Sequence, residues 1–195
     1  MSSCAQSREG APVRERAPVR GRATARGSGS PARLSFRVIG IDPGSDTTGY
    51  GVVESDGRSH VLVECAGIHP PPRLPFAERL LAIGQKLDEV IDRLKPDVCA
   101  VEETFYAVNV KSALKLGHVR GVAMLSAARA GIKVFEYSPL EVKLALVGYG
   151  RAEKRQVQEM VRLILALKEA PQPLDASDAL ATAICHIHTA SVRPG

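Results

Sequence analysis

The chain has 195 residues, 45% of them hydrophobic and 24% charged, with a formal net charge of +5. That is the length and balance of one ordinary globular domain, which excludes a large multidomain assembly. No apolar run approaches the roughly 20 residues needed to cross a bilayer, and the Arg-studded N-terminus lacks a secretory h-region, so neither a membrane protein nor an export substrate is expected.

Residues 1–34 are rich in Ala, Arg, Gly, Pro and Ser and show no apolar period, so they read as a disordered tail. A transit peptide and an upstream extension of the true start are equally compatible with that composition. Residues 1–37 hold eight Arg and two Glu, so the basic balance is a property of the tail and the rest of the chain sums to −1. The domain proper is expected over residues 35–190, with 191–195 as a short C-terminal tail.

From Phe36 the run FRVIGID is nearly continuous in apolar residues and ends at Asp42, before the breakers Pro43 and Gly44. Gly49 to Glu54 and Ser59 to Gly67 are two further strand-like runs, joined by the turn signal Ser55-Asp56-Gly57, which together predict an antiparallel meander. After Pro70-Pro71-Pro72, residues Phe76, Leu80, Ile83, Leu87, Val90 and Leu94 mark one face of a helix that stops at Lys95-Pro96-Asp97. Val98 to Val101 reads as a strand delivering Glu102, residues 110–130 as an Ala- and Leu-rich helix, and Lys133 to Tyr137 as a fifth strand. Ser138-Pro139-Leu140-Glu141 is a helix start, with Ser at the N-cap, Pro at the first helical position and an acid at the third. A helix around Val157 to Leu167 and another from Asp175 to about Ala190 complete an order that predicts an α/β domain with a mixed sheet.

Charge follows the same order. Residues 38–102 carry six basic and eleven acidic groups, residues 103–168 eleven and five, and residues 169–195 one and three. An acidic beginning and end around a basic middle suit a protein that holds cations with one set of groups and a polyanion with another. Cys4, Cys65, Cys99 and Cys185 form no CxxC pair, which fits a reducing compartment and argues against structural zinc.

Four carboxylates stand out. Asp42 and Glu102 each sit where an apolar strand ends, the edge at which open α/β sheets bind ligands. Asp175 and Asp178 lie one turn apart on one face of a helix start. If they converge, four acids without a thiolate or imidazole make a hard-oxygen site for two Mg²⁺ or Mn²⁺ ions, arranged to hydrolyse a phosphodiester. Each acid also has a plain structural reading: Asp42-Pro43-Gly44 as a tight turn, Asp175 to Asp178 as a helix cap, and one of Glu102 and Glu103 as merely solvated.

The segments VIGIDPGSDTTGYGVVE (38–54), AVEETF (100–105), SALKLGHVRGVA (112–123), VGYGRAEKRQVQEMV (147–161) and DASDALATAICH (175–186) resemble, in order and spacing, the bacterial RuvC family of crossover-junction endodeoxyribonucleases. The resemblance covers residues 36–190 and implies an RNase H-like fold, with a mixed five-stranded sheet flanked by helices. It further implies a cytoplasmic homodimer that nicks four-way (Holliday) DNA junctions symmetrically with Mg²⁺, and branch-migration partners of the RuvA and RuvB type. On it, Asp42, Glu102, Asp175 and Asp178 match the family's metal-binding acids, and Phe105 matches an aromatic associated with base stacking, although a loop anchor in the core explains Phe105 equally well. Asp46, His118 and Leu144 depart from the family's usual residues.

Lys111, Lys115, Lys143, Arg151, Lys154 and Arg155 are the basic residues expected along DNA phosphates, with Lys143 and Lys154 favoured by the resemblance. Gly117 and Gly121 would let another backbone approach, either this chain's own sheet or a second copy. His186 lies two turns beyond Asp178, about 12 Å along the axis and outside a shared ligand shell, so neither it nor His188 is expected to bind metal. Two rival functions follow from the same residues. One is the phosphate-binding half of an actin-like or sugar-kinase ATPase, whose first phosphate loop IGIDPGSDTTG resembles; the other is a structure-blind nuclease or non-catalytic nucleic-acid binder.

Overall fold

A computed structural model describes residues 22–23, 34–103 and 109–190. The predicted tail 1–34 falls almost wholly outside the described residues, as do Phe105 and residues 191–195. The exception is a two-residue strand, β1 (Arg22–Ala23), which pairs antiparallel with the start of β2 (Leu34–Asp42).

The remaining elements are β3 (Thr48–Ser55), β4 (His60–Ile68), α1 (Phe76–Leu94), β5 (Val98–Glu102), α2 (Val110–Arg129), β6 (Lys133–Tyr137), α3 (Pro139–Val147), α4 (Lys154–Ile164) and α5 (Leu174–Ala190). The sheet runs in the order β4-β3-β2-β5-β6. β2, β3 and β4 form the antiparallel meander, and β5 and β6 are parallel to β2. The mixed α/β order read from the sequence is the order observed.

Alternation along each strand sorts the core into two layers. Ile39, Ile41, Val52, Cys99 and Val101 face α1 and α2, where Ile83, Leu87, Val119 and Ala123 cover them. Val38, Val53 and Ala100 face the other way, against Val142 of α3, Val157 and Val161 of α4, and Leu180 and Ile184 of α5. Among the described residues no helix is long and apolar enough to cross a membrane.

Helix ends follow local chemistry. Ser138 Oγ accepts from the Glu141 N–H at 3.3 Å while the Glu141 carboxylate accepts from the Ser138 N–H at 2.8 Å, a reciprocal cap that fixes where α3 leaves β6. The Asn109 side chain caps α2 by accepting from Ser112 N–H at 2.9 Å.

Candidate active site

β2 and β5 are parallel neighbours with Ile41 opposite Val101, so the next residues, Asp42 and Glu102, end the two strands side by side. Adjacent strands lie about 4.8 Å apart. Asp42 follows Val38 and Gly40 on one face of β2, and Glu102 follows Val98 and Ala100 on the same face of β5; that face is covered by α3, α4 and α5.

The third and fourth acids arrive with α5, because that helix lies almost on the backbone of the sheet. A Cβ on Gly40 would sit 1.9 Å from the Ala179 carbonyl oxygen, and one on Gly49 would sit 2.0 Å from the Asp175 carbonyl oxygen. Gly49 is the residue paired with Asp42 across β2 and β3. The first turn of α5 is therefore seated beside Asp42, carrying Asp175 and, one turn on, Asp178.

The electrostatics record this convergence. Burial, then the charges of Glu102, Asp178 and Asp175, raise the Asp42 carboxyl to about 8. Burial and the charge of Asp178 raise Glu102 to about 7, against the pull of Lys154, Lys143 and a hydrogen bond with Asp42. Burial also raises Asp178, opposed by Lys154. A buried group of carboxylates that oppose one another's ionisation is the arrangement a cation would relieve.

Lys154 already relieves part of it. Its ammonium lies 2.5 Å from Asp178 Oδ2. Burial works against the Lys154 charge, yet Asp178, Asp42 and Asp175 outweigh it and raise its pKa. Asp178 is thus engaged by a cationic side chain, and as the side chains stand no three acidic, His or Cys groups among the described residues converge tightly enough to hold an ion. The donor set is nonetheless all oxygen, which suits a hard divalent cation.

The other expected residues separate into groups. Lys143 of α3 and Lys154, the first residue of α4, both act by charge on Glu102, and Lys154 pairs with Asp178. Lys111 and Lys115 are exposed on the first turns of α2, with Lys115 Nζ 5.8 Å from the centre of the Phe76 ring. Arg151 and Arg155 are exposed around the start of α4. Neither member of the Glu102-Glu103 pair is merely solvated: Glu102 lies among the acids, and Glu103 is 27% exposed and 4.0 Å from the Arg120 guanidinium on the α2 side of the sheet. His186 is held by Tyr137, whose hydroxyl lies 2.8 Å from Nδ1, and His188 Nδ1 lies 3.1 Å from the Ala145 carbonyl, so both histidines have local partners. Gly117 and Gly121 do not face the sheet; they are exposed, and among the described residues nothing lies within 4 Å of where a side chain would start.

Sequence reasoning missed Gly40 and Gly49 as the seat of α5, and missed Lys154 as the partner of Asp178. Glycine at two apolar strand positions was the available signal for the first. The second had none, since it depends on where α4 begins relative to α5.

A family model described as crossover junction endodeoxyribonuclease RuvC matches residues 38–186. The chain is 54% identical over 156 residues to the crossover junction endodeoxyribonuclease RuvC of Koribacter versatilis, covering 80% of this chain and 94% of the relative. It is 54% identical over 154 residues to that of Chloroflexus aggregans, covering 79% and 94%. Among solved structures, Thermus thermophilus RuvC in complex with a Holliday junction substrate superposes with a TM-score of 0.77 at 39% identity, covering 80% of this chain and 96% of the other. The yeast mitochondrial Holliday junction resolvase Ydc2 shares the fold, with a TM-score of 0.60 at 14% identity over 80% of each chain.

Proposed function

The chain belongs to the RuvC family of crossover junction endodeoxyribonucleases, and from that premise we propose that Asp42, Glu102, Asp175 and Asp178 are its catalytic, metal-holding residues. The protein is a structure-specific endonuclease that resolves four-way (Holliday) DNA junctions by metal-dependent phosphodiester hydrolysis, in recombination and repair. The observation that carries the site is the placement of Asp42 and Glu102 at the ends of neighbouring parallel strands, with the first turn of α5 seated on Gly49 opposite Asp42.

In this reading the four carboxylates hold two Mg²⁺ or Mn²⁺ ions. Bound there, such ions supply Lewis-acid activation of water and stabilise the leaving oxygen of the phosphodiester. The chain's own residues set the stage. β2 and β5 fix two carboxylates on rigid strand ends, and α5 brings two more on a helix that the sheet glycines hold close. Lys154 balances the acids through its ion pair with Asp178 at the same edge. Lys111, Lys115, Lys143, Arg151 and Arg155 extend the cationic surface along the DNA, supplying affinity that does not depend on sequence. Phe105, in the segment between Glu103 and Asn109, is assigned to stack on a base opened at the junction centre.

The functional unit is a homodimer acting in the cytoplasm with branch-migration partners of the RuvA and RuvB type. Support for the dimer comes from α2. Val110, Leu114 and Leu125 are exposed, by 76%, 60% and 49%, and with Gly117 and Gly121 form a stripe at three- and four-residue steps. Two such helices can pack face to face with the glycines allowing close approach. The test is cleavage of a four-way junction, a linear duplex and an RNA–DNA hybrid side by side with Mg²⁺. Paired, symmetric nicks on the junction alone are expected, and equal cutting of the linear duplex would overturn the assignment.

A further inference from the structure

The turn that follows Asp42 carries a charge arrangement that metal binding does not call on. β2 ends at Asp42 and β3 starts at Thr48, so residues 43–47 form a turn at the edge of the site. Arg79, in the first turns of α1, reaches into it. Its Nη2 donates to the Ser45 carbonyl and, at 2.8 Å, to Asp46 Oδ1. The partners are unequally placed: the Arg79 side chain is 13% exposed and that of Asp46 is 89% exposed. Arg79 Nε is buried and has no hydrogen-bond partner among the described residues.

The turn does not depend on Asp46 for its shape. Thr48 Oγ1 donates to the Gly44 carbonyl at 2.8 Å, Thr47 Oγ1 lies 3.0 Å from His69 Nδ1, and Arg79 itself holds the Ser45 carbonyl. What Asp46 adds is an exposed anion lying over a mostly buried guanidinium. Guanidinium groups bind phosphate oxygens with the same planar fork that they offer a carboxylate. The Asp46 carboxylate is itself well solvated, so it gives up little when an incoming phosphate takes its place on the guanidinium. Asp46 stands four residues beyond Asp42, within about 14 Å along the chain, a distance a DNA strand with a phosphate at Asp42 covers within a few nucleotides.

We propose that Arg79 is a binding residue for a phosphate of the DNA strand, and that Asp46 occupies it in the free protein and is displaced when DNA arrives. The inference rests on the reading of Asp42 as the centre of the DNA site. A neutral residue at position 46 would leave the guanidinium open, so Asp46 sets how tightly, and at what salt, this chain takes DNA.

The experiment is fluorescence anisotropy of a labelled four-way junction in EDTA across a salt series, with melting temperature as the check on folding. Asp46→Asn is expected to bind about fivefold tighter while keeping the parent's slope of log affinity against log salt, because Arg79 neutralises the same phosphate in both complexes. Asp92→Asn, which removes an exposed acid paired to Lys95 at the far end of α1, controls for net charge and is expected to leave both unchanged. Adding Arg79→Gln to Asp46→Asn should erase the gain. If that double variant does not fold, Arg79→Lys in its place, which keeps the charge and loses the fork, should lose about half of it. An Asp46→Asn variant that behaves like Asp92→Asn, or whose gain survives loss of the guanidinium, overturns the inference. Junction cleavage by Asp42→Asn would instead overturn the site reading on which it rests.

Discussion

The carbonyl oxygen of Asp175 lies where a side chain on Gly49 would begin, 2.0 Å from that position. The contact is backbone against backbone, so it cannot be relaxed by turning a rotamer. Gly49→Ala must push the first turn of α5 off β3, carrying Asp175 and Asp178 away from Asp42. Overpacking of a tight interface costs about 1 to 3 kcal/mol, and here the loss should exceed that range or abolish cleavage in whatever fraction folds. Thermal melting together with junction cleavage checks it. A variant that melts and cuts like the parent would show that α5 is not held by this contact.

The four acids make a sharper expectation, because each is assigned to metal and not to DNA. Asp42→Asn, Glu102→Gln, Asp175→Asn and Asp178→Asn should each lose cleavage by several orders of magnitude while binding the junction at least as well as the parent. Undiminished turnover in two or more of the four would remove the carboxylate assignment.

Stability should depend on pH with a definite sign. Asp42 is raised from 3.8 to about 8 and Glu102 from 4.5 to about 7, both first by burial and then by neighbouring acids. A carboxyl whose folded pKa exceeds its unfolded value binds more protons when folded. Its contribution is therefore present below the unfolded value and lost as pH rises through the folded one. The metal-free protein should melt progressively lower between about pH 4 and about pH 8 on this account, and Mg²⁺ should raise the melting temperature more at the upper end than at the lower. Asp42→Asn, which removes the most strongly raised group, should flatten the metal-free profile. A profile equally steep in that variant would place the titration elsewhere.

Much of this architecture was legible because the strands are short, apolar and bounded by breakers. FRVIGID, KVFEY and the Ser138-Pro139 start each carry a local signal that agrees with the tertiary outcome. The positions of the acids at strand ends were legible for the same reason, whereas their role was not, since a tight turn at Asp42-Pro43-Gly44 accounts for a carboxylate there as well. What stayed hidden depends on distances between elements. Lys154 reads as a residue for DNA phosphates, and only the packing of α4 against α5 shows that it meets Asp178. Which of Glu102 and Glu103 is engaged stays open in the sequence until α2 brings Arg120 to Glu103 on the other face of the sheet. Gly117 and Gly121 had two readings of equal weight, and only the position of α2 relative to the sheet shows them facing outward.

The N-terminal segment gives a test on affinity alone. Deleting residues 1–33 removes seven Arg and two Glu, a net loss of five positive charges, and leaves β2 whole from Leu34. Folding and cleavage at saturating DNA should survive. Junction binding at low salt should weaken and its salt dependence should flatten, because fewer counterions are released. An insoluble truncated protein would show that the segment belongs to the fold.

Symmetry supplies the last expectation. Resolving a four-way junction into two duplexes takes two cuts at positions related by the two-fold of the junction, whereas one centre of four carboxylates serves one strand. A two-fold dimer supplies two centres at fixed separation. Leu114 and Leu125 leave large apolar surfaces in solvent on α2, and among the described residues nothing meets Gly117 or Gly121. A second copy of the helix would cover both leucines and use the space over both glycines. Replacing Gly121 by Trp should therefore block close approach without disturbing the fold, because its outward side is empty. The variant should melt near the parent, sediment as a monomer and nick junctions singly, so that linear resolved product disappears while nicked junction accumulates. Light scattering of the parent on a junction decides the matter from the other side: a monomer that still makes paired cuts would end the argument for a dimer through α2.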